Sequence, residues 1–279
     1  MKKKNNTWSR VFLYLFVFVV CVVILYPYFV MFTTAAKTDG EMYNRATASL
    51  LPHVWQWKNF VEIWKAAPVG NYLLNSILIS GGATILAILC GIPAAYALSR
   101  MRFKGKGFFL GAVIMSQMFS PVVLLVGIYR LMTQLHLTNN IWGLILLNAA
   151  FNQAFAIWLL RGTFTSISPE MEQAAKIDGC NTIQSMIRVL IPMAAPGIVT
   201  ALIFVFINAW NEYTIALTLI NTEVLKPITV GINKFYGFNM IDWQYLFATS
   251  LFATIPVIIL FLMIEKHLAA GLTAGGVKG

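Results

Sequence analysis

Four chemically capable side chains lie close together in one long apolar stretch, residues 195–220. They are two amides, an indole and a carboxylate: Asn208, Asn211, Trp210 and Glu212. An ionisable group inside an apolar run is costly and is often functional. These residues are therefore candidates for a path along which a polar solute moves. A structural alternative stays open, because such groups also bond neighbouring helices at roughly 0.6–2 kcal/mol each, and Glu212 could lie near an aqueous interface.

No set of residues indicates catalysis or metal binding. The three histidines, His53, His136 and His267, are isolated in the sequence. The three cysteines have neither the spacing of a disulfide framework nor that of a zinc site. We therefore expect no catalytic residue and no metal ligand, and we do not expect an enzyme.

The strongest local signals lie in residues 168–179. Ser168 is a preferred N-cap, Pro169 suits the first helical position, and Glu170 complements the positive end of the helix dipole. Gly179 suits the residue just past a helix end, where a positive φ is needed. This pattern predicts a short helix of about ten residues.

A helix this short is marginal by itself and needs a partner. The partner is either the rest of the chain with its lipid surface or a separate protein, which could approach closely over Ala174 and Ala175. A second helix is predicted to begin near Thr182 and to be stopped or bent by Pro192 and Pro196.

The amino-acid composition indicates whether water or lipid surrounds the elements that position these residues. Hydrophobic residues make up 59% of the chain and charged residues only 11%, whereas about a quarter of a soluble domain is charged. Six apolar runs each have the roughly 20 residues needed to cross a bilayer. The predicted spans are residues 11–32, 72–98, 108–129, 141–160, 195–220 and 245–264. The sequence thus predicts an all-α integral membrane protein with a membrane domain over residues 11–265.

Charge predicts the orientation. Four lysines and arginines fall within residues 100–106, and lysines also precede the first run, as is typical of cytoplasmic segments. The first run has 22 residues and exceeds the roughly 7–15 of a signal peptide. We expect residues 1–10 and 266–279 to be cytoplasmic. The net charge of +10 fits this placement, and we expect no nucleic-acid partner.

The chain resembles permeases of binding-protein-dependent ABC importers of the carbohydrate-uptake, maltose-type class. The motif is Gln173-Ala174-Ala175-Lys176-Ile177-Asp178-Gly179, followed after nine residues by Val189-Leu190-Ile191-Pro192. This is similar to the family's EAA loop, here residues 161–192, with Gln173 at the usual Glu and Ile191 at the usual Leu. Glu172 lies one position earlier and could supply the charge. Residues 95–100, 157–162 and the glycine-rich tail from Gly271 also match.

The resemblance implies the type I ABC importer permease fold, with residues 168–179 as a cytoplasmic coupling (EAA) helix that seats on an ATPase. The implied contact residues are Glu172, Gln173, Ala174, Ala175, Asp178, Gly179, Ile191 and Pro192. In the tail they are Gly271, Thr273 and Lys278. The chain has no Gly-x-x-x-x-Gly-Lys-Ser/Thr loop, so it is expected to bind no cofactor, while partner ATPases use ATP and Mg²⁺.

The implied partners are a second homologous permease, a dimer of cytoplasmic ATPases, an extracytoplasmic solute-binding protein and membrane lipid. The implied location is the plasma membrane of a prokaryote, and the implied cargo is a sugar or oligosaccharide. Two alternatives stay open. One is an ABC permease for another solute, such as a phosphorylated polyol, and the other is a stand-alone secondary transporter.

Overall fold

The computed structural model describes residues 7–43, 49–237 and 240–276. These residues are mostly helical, and their only β-type pairing is an isolated bridge between Tyr236 and Ile241. The α-helices are α1 (Thr7–Ala35), α2 (Asp39–Tyr43), α3 (Asn59–Ala66), α4 (Val69–Arg100), α5 (Lys106–Ser116), α6 (Pro121–Gln134), α7 (Ile141–Ser166), α8 (Pro169–Ile177), α9 (Thr182–Ser185), α10 (Ile191–Met193), α11 (Ala195–Trp210), α12 (Thr214–Leu219), α13 (Ile228–Gly231) and α14 (Trp243–Gly276). A π-helical turn, Met186–Leu190, joins α9 to α10, and 3-10 turns occupy Glu223–Leu225 and Ile232–Phe235.

Four helices, α1, α4, α7 and α14, contain stretches long and apolar enough to cross a membrane. Two helix pairs pass the same test together but are bent. The pair α5 and α6 meets at 97°, and Thr182–Met193 meets α11 at 78°. Counting each bent pair as one span gives up to six spans among the described residues. The predicted all-α membrane fold is confirmed, and so is the predicted bend between Pro192 and Pro196.

The predicted third and fifth spans were wrong as continuous helices. In the third, residues 108–129, α5 ends at Ser116 and α6 begins at Pro121. Ser120 is extended, and Pro121 has no N–H with which to continue the preceding helix. In the fifth, residues 195–220, α11 ends at Trp210 and a separate short helix, α12, follows.

Two other boundaries also differ from the prediction. Helix α7 continues to Ser166, so the loop predicted from residue 161 begins about two turns later. Helix α14 continues to Gly276, so the predicted tail, residues 266–279, is helical over most of its length. Of residues 266–276 only the backbone is described.

The chain divides into two compact units, residues 68–231 with 256–279, and residues 1–67 with 232–255. In the first unit α4, α7 and α11 pack together through small side chains, including buried Ala87, Ala156 and Ala201. Small residues let membrane helices approach closely. At the tightest point a Cβ built on Gly197 would lie 2.2 Å from Oγ1 of Thr163.

The start of α4 is tied to the segment that precedes and begins α13. The Asn75 amide donates to the carbonyl oxygens of Val224 at 2.9 Å and Lys226 at 3.0 Å. Ser76 Oγ accepts from the N–H of Ile228 at 2.8 Å. Because all three are bonds between α4 and a distant segment, they fix residues 224–228 to one end of the helix.

In the other unit, the Asn59 amide fastens α3 to the end of α1. It donates to the carbonyl oxygens of Ala35 at 2.9 Å and Lys37 at 3.0 Å. Aromatic rings of α1, α3 and the segment between them then cluster, with Trp55 and Trp57 stacked at 5.4 Å. Most side chains of α1 are exposed, as expected for a helix that faces lipid or another membrane subunit.

Candidate functional site

Helix α8 begins and ends as its sequence predicts. Ser168 Oγ accepts from the N–H of Glu170 at 3.3 Å, and Pro169 occupies the first turn. At the other end Gly179 has φ of +86°. The N–H of Gly179 donates to Lys176 O at 3.1 Å, and the N–H of Cys180 donates to Ala175 O at 3.0 Å. This pair of bonds is the Schellman arrangement, which closes a helix over a residue with positive φ.

The next helix has its own closed N-terminus. Asn181 Oδ1 accepts from the N–H of Gln184 at 2.8 Å, and Gln184 Oε1 accepts from the N–H of Asn181 at 3.0 Å. These reciprocal bonds form a capping box. Both short helices of the loop are therefore fixed by their own side chains.

A buried ionic cluster holds α8 against the end of α4. The Tyr96 hydroxyl donates to Glu172 Oε1 at 2.7 Å, and Lys176 Nζ lies 2.7 Å from the same oxygen. Arg100 Nε lies 3.6 Å from Glu172 Oε2, and its Nη2 donates to Ile167 O at 2.7 Å. The side chains of Glu172 and Arg100 are only 7% and 11% exposed. We call Tyr96, Arg100 and Glu172 the α4–α8 cluster.

Electrostatics favour the charged form of Glu172. Burial acts to raise its pKa, but the hydrogen bonds from Lys176 and Tyr96 and the positive charges of Lys176 and Arg100 outweigh burial. The pKa of the Glu172 carboxyl therefore lies below its ordinary value. The carboxylate is charged at neutral pH and is fully engaged within this chain.

The structure separates the predicted coupling residues into two groups. Glu172 and Ala175 are buried against the chain's own helices, and Ile191 is half-buried. The small-residue surface predicted at Ala174 and Ala175 is thus wrong for Ala175. The residues left available to a partner protein are Gln173, Ala174, Asp178, Gly179 and Pro192.

Exposed apolar side chains lie in the same segment as these positions. Ile177 is 86% exposed and Ile183 is 65% exposed, and Met171, Ile187 and Met193 are exposed too. We call this set, with Ala174, the loop face. Tyr96 and Arg100 were not predicted to contact the loop. Their spacing of four residues at the end of an apolar run, which places both on one helix face, was the available signal.

The four residues proposed for a solute path do not form one site. Glu212 caps α12, because its carboxylate accepts from the N–H of Ile215 at 2.6 Å and of Ala216 at 3.0 Å. Trp210 is 5% exposed and stacks on Phe206. Asn208 and Asn211 are exposed. Glu212 and Trp210 therefore make contacts that stabilise the helices of this chain.

The predicted tail contacts fall at the edge of the described chain. Gly271 and Thr273 lie on the last turns of α14, where only the backbone is described. Lys278 lies outside the described residues. Among the residues that are described, no group of three His, Cys, Asp or Glu side chains could hold a metal ion.

Comparison with known families now identifies the class. Residues 83–273 match the family described as binding-protein-dependent transport system inner membrane component, and the chain belongs to this family. It is therefore the membrane-embedded permease component of an ABC transporter, and it is not itself an enzyme.

Individual relatives agree over almost the whole chain. The probable ABC transporter permease protein YurM of Bacillus subtilis is 36% identical over 99% of this chain and 89% of its own length. The trehalose transport system permease protein SugB of Mycobacterium tuberculosis is 34% identical over 88% of both chains. The diacetylchitobiose uptake system permease protein DasC of Streptomyces coelicolor is 28% identical over 99% of this chain and 100% of its own.

The fold also matches a solved structure. A chain in the crystal structure of a bacterial ABC transporter involved in the import of the acidic polysaccharide alginate superposes with a TM-score of 0.79. The match covers 95% of this chain and 98% of the other at 22% identity. This likeness establishes the ABC importer permease fold.

Proposed function

We propose that this chain is one of two permease subunits of an ATP-driven importer for a sugar or oligosaccharide. A second homologous permease completes the path, an extracytoplasmic binding protein delivers the sugar, and two cytoplasmic ATPases drive transport with ATP and Mg²⁺. Both termini lie in the cytoplasm of a prokaryotic cell. The basic segment at residues 100–106 supports this orientation.

The observation that carries the proposal is the rigidly held α8 with its exposed apolar surface. The α4–α8 cluster fixes one side of the helix, while Ile177 and Ala174 on the loop face remain open. Exposed contiguous apolar surface commonly marks a protein interface. We infer that the loop face seats on the ATPase, and that Gly271, Thr273 and Lys278 add contacts from the end of the chain.

The sugar assignment rests on the relatives. Their names include permeases for trehalose and diacetylchitobiose. The melibiose/raffinose/stachyose import permease protein MelC of Bacillus subtilis is 28% identical over 91% of this chain. A phosphorylated polyol is the alternative cargo, and it would call for lysine or arginine along the path.

Transport by the assembled complex tests the proposal. The chain is co-expressed with its partner permease, ATPase and binding protein, and the purified complex is placed in proteoliposomes. Uptake is measured for radiolabelled trehalose, melibiose, raffinose and diacetylchitobiose, here called the sugar panel, and for glycerol 3-phosphate. We expect uptake of a panel sugar that needs ATP and stops with a hydrolysis-deficient ATPase. Uptake of glycerol 3-phosphate alone, or uptake without the ATPase, contradicts the proposal.

A second experiment tests the docking surface. Ile177→Arg places a charge at the most exposed apolar side chain of the loop face, and we expect the ATPase to be lost when the complex is purified through this chain. Leu135→Arg is the matched control, because Leu135 is also exposed but lies in the turn at the other end of the predicted third span. Equal ATPase recovery with both variants contradicts docking at α8.

A further inference from the structure

With α5 taken along the membrane normal, its length places the break between α5 and α6 near mid-membrane depth. Helix α5 starts directly after the basic segment that we place at the cytoplasmic surface, and its 11 residues cover about 16 Å. The hydrocarbon layer is about 30 Å thick, so residues 117–120 fall near its middle. Non-helical backbone at that depth is tolerated only where protein buries it or where it lines a water-filled cavity.

Two adjoining hollows open beside this break. One of about 260 Å³ is lined by Trp158, and one of about 190 Å³ is lined by Phe119, Asn152 and Asn208. Gln117 and Phe155 line both, so the two hollows are direct neighbours. A mostly apolar hollow with a few convergent polar groups is the usual composition of a small-molecule site.

Two of the amides lack partners. Gln117 and Asn208 are exposed, and neither side chain hydrogen-bonds to another described residue of the chain. An amide that faced hydrocarbon without a hydrogen bond would carry a large desolvation cost. These two side chains must therefore meet water, a solute or another protein.

Aromatic rings form the facing wall. Phe155 is held between Trp158, with ring centroids 6.1 Å apart, and Phe204 at 5.4 Å. Trp158 is 51% exposed and Phe119 is 60% exposed, so ring surface remains free. Such a ring covers the C–H face of a sugar, while the amides bond its hydroxyl groups.

We propose that this hollow is a sugar-binding subsite of the permease, with Phe155 and Trp158 as its stacking surface and Gln117 and Asn208 as its hydrogen-bonding groups. The proposal rests on the proposed function. None of the residues that line either hollow is charged, so the subsite suits a neutral sugar better than a phosphorylated polyol or a polyanion.

Thiol labelling of the assembled importer in proteoliposomes tests the subsite. Gln117→Cys and Asn208→Cys are made in a background in which Cys21, Cys90 and Cys180 are replaced by serine. Each complex is treated with a membrane-impermeant, cationic methanethiosulfonate reagent, with and without the transported sugar of the panel at saturation. Met115→Cys is the matched control, because Met115 is 64% exposed at nearly the same depth but points about 200° around the helix from Gln117.

We expect both subsite thiols to react at least about ten-fold faster than the Met115→Cys thiol, since only a hydrated thiol ionises readily. Sugar should slow both reactions. Phe155→Leu should raise the sugar concentration for half-protection by about two- to ten-fold, as expected for loss of one aromatic contact, and Phe155→Tyr should not. Labelling no faster than at the control, or labelling unaffected by a sugar that the same proteoliposomes transport, overturns the subsite. Failure of the proteoliposomes to transport any panel sugar overturns the proposed function instead.

Discussion

The hydroxyl of Tyr96 lies 2.7 Å from the carboxylate of Glu172, although the two residues are 76 positions apart in the chain. The contact joins a membrane-spanning helix to the short helix that we place on the ATPase. Since Arg100 reaches the same carboxylate from the next turn of α4, the two helices are joined by a charge pair as well as by a hydrogen bond. Glu172, one position before the motif, thus joins two helices of the same subunit.

Arg100→Met should separate transport from ATP hydrolysis. It leaves the buried Glu172 charge with weaker compensation, and breaking a buried ion pair typically costs about 3–5 kcal/mol. We expect at least a ten-fold loss of sugar uptake while the ATPases still hydrolyse ATP. Arg102→Met is the control, because Arg102 is exposed in the same basic segment and forms no ion pair with a described residue. Equal losses in both variants would contradict a special role for the α4–α8 cluster.

The α4–α8 cluster should weaken in acid. The folded-state pKa of Glu172 lies below its ordinary value of 4.5, so its stabilisation is present above pH 4.5 and is lost as the pH falls through the folded pKa. We expect the thermal stability of the purified complex to fall more steeply below pH 4.5 in the wild type than in Glu172→Gln. Parallel pH curves for the two proteins would argue against the carboxylate as the responsible group.

Gly179→Asp should disturb the end of α8 without preventing membrane insertion. A Cβ at this position meets nothing within 4 Å, so the penalty comes from the left-handed backbone, at most roughly 1–2 kcal/mol, and from a negative charge at the C-terminal end of the helix dipole. We expect reduced ATPase recovery and reduced uptake. Gly179→Asn should be milder, since Asn tolerates this conformation, and Gly162→Ala, a helical site with open space, should behave like the wild type. Unchanged transport in Gly179→Asp would refute the role of this turn.

Gly197→Ala should destabilise the contact between α11 and α7. The added Cβ would lie 2.2 Å from Thr163 Oγ1 and 2.8 Å from Thr163 Cβ, and overpacking of this kind costs about 1–3 kcal/mol. We expect a lower melting temperature of the purified complex. Thr163→Ala should restore part of the loss in the double variant, because it removes the nearer atoms. Additive losses would show that the two residues do not collide.

Glu212→Ala should lower stability by about 0.5–2 kcal/mol, the usual cost of removing a helix cap. Glu212→Gln keeps an oxygen that can accept from Ile215 or Ala216 and should largely preserve uptake. A selective change in sugar KM with unchanged stability in Glu212→Gln would instead assign the residue to the solute path.

Local chemistry explains which parts of the loop were predictable. Ser168 and Gly179 act on their own backbone neighbours, so their types and spacing were enough to place both ends of α8. The position of Glu172 depends on Tyr96 and Arg100, and nothing in the loop itself indicates that this carboxylate turns inward. Ala175 was wrongly predicted to be exposed for the same reason, since burial is set by packing between distant segments.

The membrane spans likewise have some features that the sequence predicts and others that it does not. Hydropathy identified every apolar run, because it measures composition over about 20 residues. It did not reveal the break after Ser116, since residues 117–120 are not polar enough to interrupt the average, and the amide of Gln117 was overlooked. Pro121 was the one local sign that the helix restarts there. The continuation of α14 past residue 265 was hidden by the glycine content of the tail.

Helix α4 is bonded to another segment of the chain at each end. Tyr96 and Arg100 hold α8 at one end, and Asn75 and Ser76 hold residues 224–228 at the other. Its 32 residues extend about 48 Å, more than the thickness of the hydrocarbon layer. One continuous helix, with Pro93 inside it, therefore connects the two surfaces of the bilayer. A shift of α8 by an ångström or two on nucleotide binding would be passed towards the opposite surface without any intervening loop having to refold.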